Sequence, residues 1–315
     1  MSTVEHEVIV RQLRWEADGV LSLELGSLAG DPLPPWDPGA HVDLVLPTGI
    51  ERQYSLCGPV GDRSRYRLGI RRERRSRGGS EYVHAFLRPG QRLVIKGPRN
   101  NFRFRRADSY LFIAGGIGIT PLLPMVRRAE SLGVDWKLLY GGHTEASMPF
   151  RHDLSKYGER VRCYPSDKVG RIPLPEVLAE FRPGQEVYAC GPESLISDLQ
   201  DATAHWPADT VHFERFKARA RASTAEDIPF EVVCAASNKT VSVPAGRSIM
   251  TAIEEAGIAT PSSCRSGICG SCETAVLDGV PEHRDEILCE ADRAAGDRMF
   301  ICVSRARTPQ LVLDL

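Results

Sequence analysis

The chain contains no run of about 18 consecutive apolar residues, the length a membrane-spanning helix requires, so no membrane partner is expected. Its first residues, MSTVEHEVIVRQL, lack a basic segment followed by an apolar core; a secretory leader is not expected, and the reducing cytoplasm is the expected compartment. Internal repeats and low-complexity tracts are missing as well. With 40 basic and 41 acidic residues, the formal charge of −1 leaves no overall cationic excess with which to hold nucleic acid. Neither a second cysteine–histidine set nor a haem-thiolate domain is evident.

What is there is an ordinary globular composition. The 315 residues are 42% apolar and 26% charged, enough for two or three domains with separate cores. The charge is unevenly placed. Residues 1–106 hold 18 basic and 12 acidic residues, net +6; residues 107–225 are net −1, and residues 226–315 are net −6. Opposite signs at the two ends can attract within the chain or be presented to an external partner.

Nine cysteines include one dense group, CRSGICGSC, in which Cys264, Cys269 and Cys272 stand in a C-x4-C-x2-C array. Cys302 follows after twenty-nine residues in MFICVSRA. Four thiolates at this spacing suit a plant-type 2Fe-2S cluster. Gly267 and Gly270 allow backbone N–H groups to approach bridging sulfides without a Cβ in the way. Structural zinc is the rival, but it usually shows two short-spaced pairs, and here there is one. Cys289 competes for the fourth position. Cys302 is preferred because MFICV reads as a buried strand, whereas Cys289 sits in the charged stretch ILCEADR. Cys57, Cys163, Cys190 and Cys234 stand alone and read as small buried hydrophobes.

Before this module the chain changes character twice. Residues 1–106 show alternating stretches (VEHEVIVRQL, VLSLEL, AHVDLVL, RYRLGIRR, QRLVIKG) separated by Pro/Gly turns, which predicts a small antiparallel barrel. Within it, ERQYSLCGP places Arg52 and Tyr54 on one face of a strand, a cation beside an aromatic, suited to a planar anionic ligand or equally to a plain surface strand. In RRERRSRGGS, the Gly78–Gly79–Ser80 run before a predicted helix can offer N–H groups and a hydroxyl to a phosphate; most of the arginines read as a solvated basic loop. From residue 109, strands alternate with helices, which predicts a parallel sheet with crossover helices. Two of its strands end in glycine turns, AGGIGITP and YACGP, so a pyrophosphate crevice is expected at that sheet edge. The first turn is not G-x-G-x-x-G, since Pro121 holds the third glycine position. A polar tether, ARARASTAED, is expected at 218–227, followed by a compact α+β module.

RQYSLCGP with RGGS, AGGIGITP with YACGP, and CRSGICGSC with MFICVSRA occur in that order. The chain thereby resembles the phthalate dioxygenase reductase family, within the wider ferredoxin–NADP reductase superfamily. The resemblance implies a multidomain protein: an FMN-binding antiparallel β-barrel at 1–106, an NAD(P)-binding α/β domain at 107–220 and an α+β plant-type 2Fe-2S ferredoxin domain at 228–315. It implies that Arg52, Tyr54 and Ser55 form the flavin strand and Gly79 and Ser80 the phosphate loop. Gly116, Thr120, Cys190, Gly191 and Pro192 become contacts of the nicotinamide cofactor. Phe216, otherwise an ordinary strand-end core residue, becomes the aromatic that covers the flavin. No acid or base is assigned; Ser55 and Phe216 are the expected catalytic positions. Cys264, Cys269, Cys272 and Cys302 become the cluster ligands. The implied activity is transfer of electrons from NADH through FMN to the 2Fe-2S cluster. They then pass to a separate terminal oxygenase, either a Rieske non-haem iron oxygenase or demethylase, or a haem-thiolate monooxygenase. Lys168 and Arg171 leave NADPH open, and a monomer is expected. The alternative from another class is a non-enzymatic regulatory module that binds zinc and a nucleotide. Flavin released by heating and separated by chromatography is expected to be FMN; recovery of FAD would contradict the placement of the barrel.

Overall fold

The computed structural model describes residues 4–73, 76, 78–207, 209–219 and 227–315, which fall into two compact units, Val4–Arg215 and Phe216–Leu315. Most of the expected tether at 218–227, and Arg74, Arg75 and Arg77 of the basic loop, lie outside the described residues. No described helix is long and apolar enough to cross a membrane.

The first unit holds two sheets. Strands β1 (Glu5–Ala17), β2 (Val20–Ser27), β3 (His41–Val45), β4 (Glu51–Ser55), β5 (Tyr66–Arg71) and β6 (Arg92–Arg99) are antiparallel in the order β4-β3-β6-β1-β2-β5. The two edges meet: Leu56 bridges Leu68, and Cys57 N–H donates to the Arg67 carbonyl at 2.8 Å. That contact closes the sheet into a barrel and removes its open edges. Alternation fills the interior with Val8, Val10, Leu23, Leu25, Val42, Leu44, Leu68 and Ile70, all 0–1% exposed. Helix α1 (Gly79–Ala85) adds Val83 to this core.

The second sheet is parallel. It comprises β7 (Ser109–Gly115), β8 (Asp135–Gly142), β9 (Val161–Pro165), β10 (Gln185–Cys190) and β11 (Val211–Glu214) in the order β11-β10-β7-β8-β9. The crossovers contain α2 (Ile119–Leu132), α3 (Arg151–Ser155), α4 (Ser166–Val169), α5 (Leu174–Val177) and α6 (Glu193–Ala202). Helix α2 ends at Gly133, whose φ of 67° provides the left-handed stop. Two expected helices are short. MPFRHDLSKYG turns helical only from Arg151, after Phe150 at φ 61°, and LPEVLAEF keeps one turn, opened by its prolines. Strand order reverses between β7 and β10, and a crevice outside their carboxyl ends is the expected ligand site of such a sheet.

Barrel and parallel sheet pack together through few, specific contacts. A Cβ at Gly69 in β5 would stand 2.6 Å from the Thr120 methyl of α2 and 3.0 Å from the Phe150 ring. Beside it, Arg67 donates to Glu16 and Asp153, each at 2.7 Å, and lies over Phe150. Arg127 donates to the Cys57 and Gly58 carbonyls at 2.7 and 2.9 Å.

The second unit is a mixed sheet of β12 (Phe230–Cys234), β13 (Lys239–Val243), β14 (Glu273–Asp278), β16 (Arg298–Phe300) and β18 (Gln310–Leu313), ordered β13-β12-β18-β14-β16. A two-stranded ribbon pairs β15 (Pro281–Glu282) with β17 (Arg305–Ala306). Helix α7 (Ile249–Glu255) is capped by Ser248, which accepts from Thr251 N–H, and buries Ile249, Met250, Ala252 and Ile253. Helix α8 (Glu290–Ala295) follows the cysteine loop in sequence. The expected strand MFICV stops at Phe300, and Cys302 lies in the turn that follows.

Arg67 is 13% exposed, Glu16 4% and Asp153 19%. Removing the cation leaves Glu16 with the Ser22 hydroxyl at 2.6 Å and Asp153 with Arg127 at 3.4 Å but breaks both short ion pairs, so Arg67→Ala is expected to lower the stability of the first unit by about 3 kcal/mol in urea unfolding. A loss below about 1 kcal/mol, the worth of a surface pair, would contradict this account of the junction.

Candidate functional site

Three constellations emerge. In the barrel, β4 carries Arg52, Tyr54 and Ser55 beside β3, with register pairs Leu44–Arg52, Val42–Tyr54 and His41–Ser55. Arg52 runs across α1: a Cβ on Gly79 would stand 2.5 Å from the Arg52 Cγ. The glycine thus joins the two stretches that the sequence presents separately, bringing a guanidinium stem onto the start of α1. Burial holds the Tyr54 phenol up at about 12, against the attraction of Arg52. Ser80 is buried; its hydroxyl accepts from Glu73 N–H at 3.1 Å and lies 3.2 Å from the Ser76 hydroxyl. Ser76 in turn accepts from Gly78 and Glu81 N–H at 3.1 and 3.4 Å, occupying the start of the helix with a neutral oxygen.

The parallel sheet supplies the second constellation. At the reversal of strand order, the β7 and β10 turns interlock through their missing side chains. A Cβ on Gly191 would lie 3.0 Å from Gly115 Cα, and one on Gly118 would collide with the Cys190 carbonyl. Gly116 does something else: it adopts φ 54° over open space. Tyr140 fixes it from β8, donating from its hydroxyl to the Gly116 and Pro149 carbonyls at 3.1 and 3.0 Å. Around these turns opens a cavity of about 760 Å³, whose walls include Gly116, His143, Ser166, Arg171, Pro192 and Leu195. A cavity of that size accommodates a large cofactor. Thr120 is turned away from any open space, 2% exposed with its hydroxyl donated to the Ile117 carbonyl at 2.9 Å. Lys168 is paired with Glu145 at 3.1 Å, whereas Arg171 lines the cavity.

Ser55 and Cys190 meet a residue that sequence reading passed over. Glu214, the last residue of β11, pairs in register with Cys190 and lies 3.5 Å from the Ser55 hydroxyl through its Oε2. Burial pushes its carboxyl up to about 8, against the opposing effect of the Ser55 hydrogen bond. Burial also keeps Cys190 a neutral thiol, its ionisation pushed well above the ordinary value. The available signal for Glu214 was its place at the carboxyl end of a parallel strand, inside HFERF. Phe216 follows two residues later and is 38% exposed.

The third constellation is the cysteine loop. The Cys264 thiol interacts with those of Cys269 and Cys302, and Cys302 also with Cys272. Cys269, Cys272 and Cys302 are buried, and Cys264 half-buried. Interaction with the neighbouring thiols, above all Cys269, holds Cys264 well below its ordinary value, helped by N–H groups that include Ile268. Cys269 and Cys302 are pushed up, in each case mainly by Cys264. Ser266 and Ser271 N–H groups donate to Cys264 and Cys269 sulfurs at 3.3 and 3.5 Å. The left-handed Gly267 and Gly270, with φ 73° and 78°, turn the loop inward. Four crowded sulfurs cannot all ionise without cationic charge among them, and this all-sulfur donor set fits an iron–sulfur group. Among the described residues, no three His, Cys, Asp or Glu side chains close at the spacing of one bound metal ion. Cys289 faces elsewhere, its thiol donating to Asp292 at 3.1 Å.

Comparison with known proteins agrees with this arrangement. Residues 232–307 match the 2Fe-2S iron-sulfur cluster binding domain family. A phenoxybenzoate dioxygenase subunit beta from Ectopseudomonas oleovorans is 41% identical over 97% of this chain and 96% of its own length. The crystal structure of phthalate dioxygenase reductase, described as transferring electrons from pyridine nucleotides to [2Fe-2S], superposes with a TM-score of 0.72. It is 35% identical over 99% of this chain and 98% of that one. An intact type IV self-sufficient cytochrome P450 monooxygenase superposes at a TM-score of 0.94 with 41% identity over 99% of this chain, which spans only 41% of that protein. Fold and site together define a pyridine-nucleotide oxidoreductase with flavin and 2Fe-2S groups. The chain belongs to the phthalate dioxygenase reductase family, the reductase components of oxygenase systems. The matched cluster-binding domain sets the zinc reading aside.

A buried carboxyl with a folded value near 8 binds a proton that the unfolded chain, near 4.5, has released. Between those pH values folding takes up a proton, so this group's contribution to stability falls as pH rises and levels off above about 8. Glu214→Gln is expected to flatten that part of the stability–pH profile, read by unfolding across pH 5 to 8. Parallel wild-type and variant profiles would contradict the assignment.

Proposed function

We propose that this chain is an NADH-dependent reductase whose FMN sits against β4 and the start of α1 and whose dinucleotide enters the 760 Å³ crevice. The observation that carries the reading is the Ser55–Glu214 contact. It joins the flavin-strand candidate to the end of the nucleotide sheet, one register position from the glycine turns at Cys190. Arg52 would neutralise the flavin phosphate beside Gly79 and Ser80, with Ser80 bracing the loop through Glu73 N–H. Tyr54, held neutral by burial, would offer a phenol to the ring system and carry no charge against it.

Bound FMN supplies the exchange between a two-electron hydride and single electrons, and a 2Fe-2S group supplies a one-electron site. The chain's own residues position and insulate. Gly116, open on the cavity side, and Pro192 would leave room for the pyrophosphate at the switch point, while Gly191 lets the β10 turn pack against Gly115. Thr120 would fix the turn beside the cofactor, its hydroxyl donating to the Ile117 carbonyl. Glu214 holds a proton beside the Ser55 hydroxyl below about pH 8. Cys264, Cys269, Cys272 and Cys302 would ligate the cluster, with the Ser266 and Ser271 N–H groups lowering charge on two of the sulfurs.

The acceptor is a separate terminal oxygenase. A dioxygenase subunit and a P450 fusion among the similar proteins support both a Rieske-type and a haem-thiolate partner. In anaerobic mixing with NADH, Cys302→Ser is expected to lose the cluster absorbance while keeping reduction of the flavin. Cys289→Ser is expected to keep both. The reverse pattern would place the fourth ligand at Cys289.

A further inference from the structure

The second unit contains a cavity of about 510 Å³ that the relay does not use. It is walled by the β14–β15 turn (Gly279, Val280, Pro281), by His283, by the end of α8 from Arg293 to Gly296, and by Arg307. Its chemistry is cationic inside a segment that is net −6 overall. The Arg293 guanidinium is held in place by backbone carbonyls, donating to Asp285 at 2.6 Å, Leu288 at 3.0 Å and His283 at 3.4 Å. Arg307 is exposed at the cavity wall.

His283 makes the cavity more than a surface dent. Its side chain is 6% exposed, and its ring nitrogens reach no hydrogen-bond partner. The nearest carboxylate oxygen, Asp285 Oδ1, stands at 4.0 Å and is itself unpartnered. Asp285 spends its other oxygen on the Ile287 and Leu288 N–H groups, at 3.0 and 2.8 Å, with the Arg293 guanidinium 3.7 Å away, so Arg293 is partly neutralised and Arg307 carries the uncompensated charge at the wall. A buried donor without a partner carries a cost that a bound acceptor would relieve. The remaining walls, Val280, Pro281, Ala294 and Ala295, are apolar.

We propose that this cavity binds a small organic carboxylate, its anionic end between Arg293, Arg307 and an N–H of His283 and its apolar body against Val280, Pro281 and the alanines of α8. The two guanidinium groups favour a carboxylate, and the apolar walls favour an organic anion over a hydrated inorganic one. The site adjoins the cysteine loop. Glu286 N–H donates to the Gly267 carbonyl at 2.9 Å, and Arg284 N–H donates to Ser304, two residues beyond Cys302, at 3.1 Å. The chain that walls the cavity therefore braces the loop, and an occupant is placed to be felt there.

The test is titration of the iron- and flavin-loaded protein with sodium benzoate at fixed ionic strength. NAD⁺ is kept saturating so that the larger crevice is filled. Binding is read by ligand-observed NMR and by visible circular dichroism of the cluster. One saturable site is expected, with affinity weakened at least about tenfold, or about 1.4 kcal/mol, in Arg307→Glu and in Val280→Glu. Both positions are exposed, so these variants should fold, and an unchanged cluster spectrum without benzoate checks that they do. No saturable binding, equal binding by both variants, or complete competition by equimolar chloride would overturn the proposal.

Discussion

The missing side chain at Gly69 governs how the first unit works. A side chain at position 69 of β5 would push against the Thr120 methyl and the Phe150 ring, so barrel and parallel sheet could not approach as closely there. With glycine there, α2 starts directly against β5. Arg67 is clamped between Glu16 and Asp153, and Ser55 at the end of β4 comes within 3.5 Å of Glu214 at the end of β11. The contact between the end of β4 and the end of β11 is thus favoured by one close approach. The glycines of the β7 and β10 turns extend the same logic, since the Gly115–Gly191 and Gly118–Cys190 approaches set the width of the crevice mouth.

The second unit answers to a different constraint, the gathering of four sulfurs that share hydrogen bonds and cannot all ionise together. Cys264 is drawn toward thiolate while Cys269 and Cys302 are pushed toward thiol. The loop is folded by left-handed glycines and by N–H groups aimed at sulfur, independent of any one cysteine's charge. Such a loop is prepared for a cationic cluster. The first unit handles a closed-shell hydride by exclusion of charge, with Tyr54, Cys190 and Glu214 all held neutral by burial at mildly acidic to neutral pH. The second handles single electrons with concentrated thiolate charge.

Much of this was legible in the residues. Local signals carried it: the cysteine spacing, the two glycine turns, and the change from alternating strands to strand–helix units. What was not legible depended on contacts between distant segments. Glu214 is 159 residues from Ser55, and nothing in HFERF marks it as a partner of RQYS. Arg52 and Gly79 read as separate stretches until the Arg52 stem is seen lying over the glycine. Thr120 entered as a cofactor contact through the family resemblance, and only the folded turn shows its hydroxyl donating to the Ile117 carbonyl. Cys302 was placed on a strand because MFICV is uniformly apolar. The strand ends at Phe300, and the turn lets the cysteine face Cys264 and Cys272. Apolar runs report burial, and burial does not distinguish a strand from the turn beneath it.

One chain joins a two-electron carrier to a one-electron carrier. Anaerobic reductive titration of the fully loaded protein with dithionite, followed at flavin and cluster wavelengths, measures that directly. Uptake of about three electrons per chain is expected, two by the flavin and one by the cluster. Uptake of about two, with no cluster signal, would contradict it.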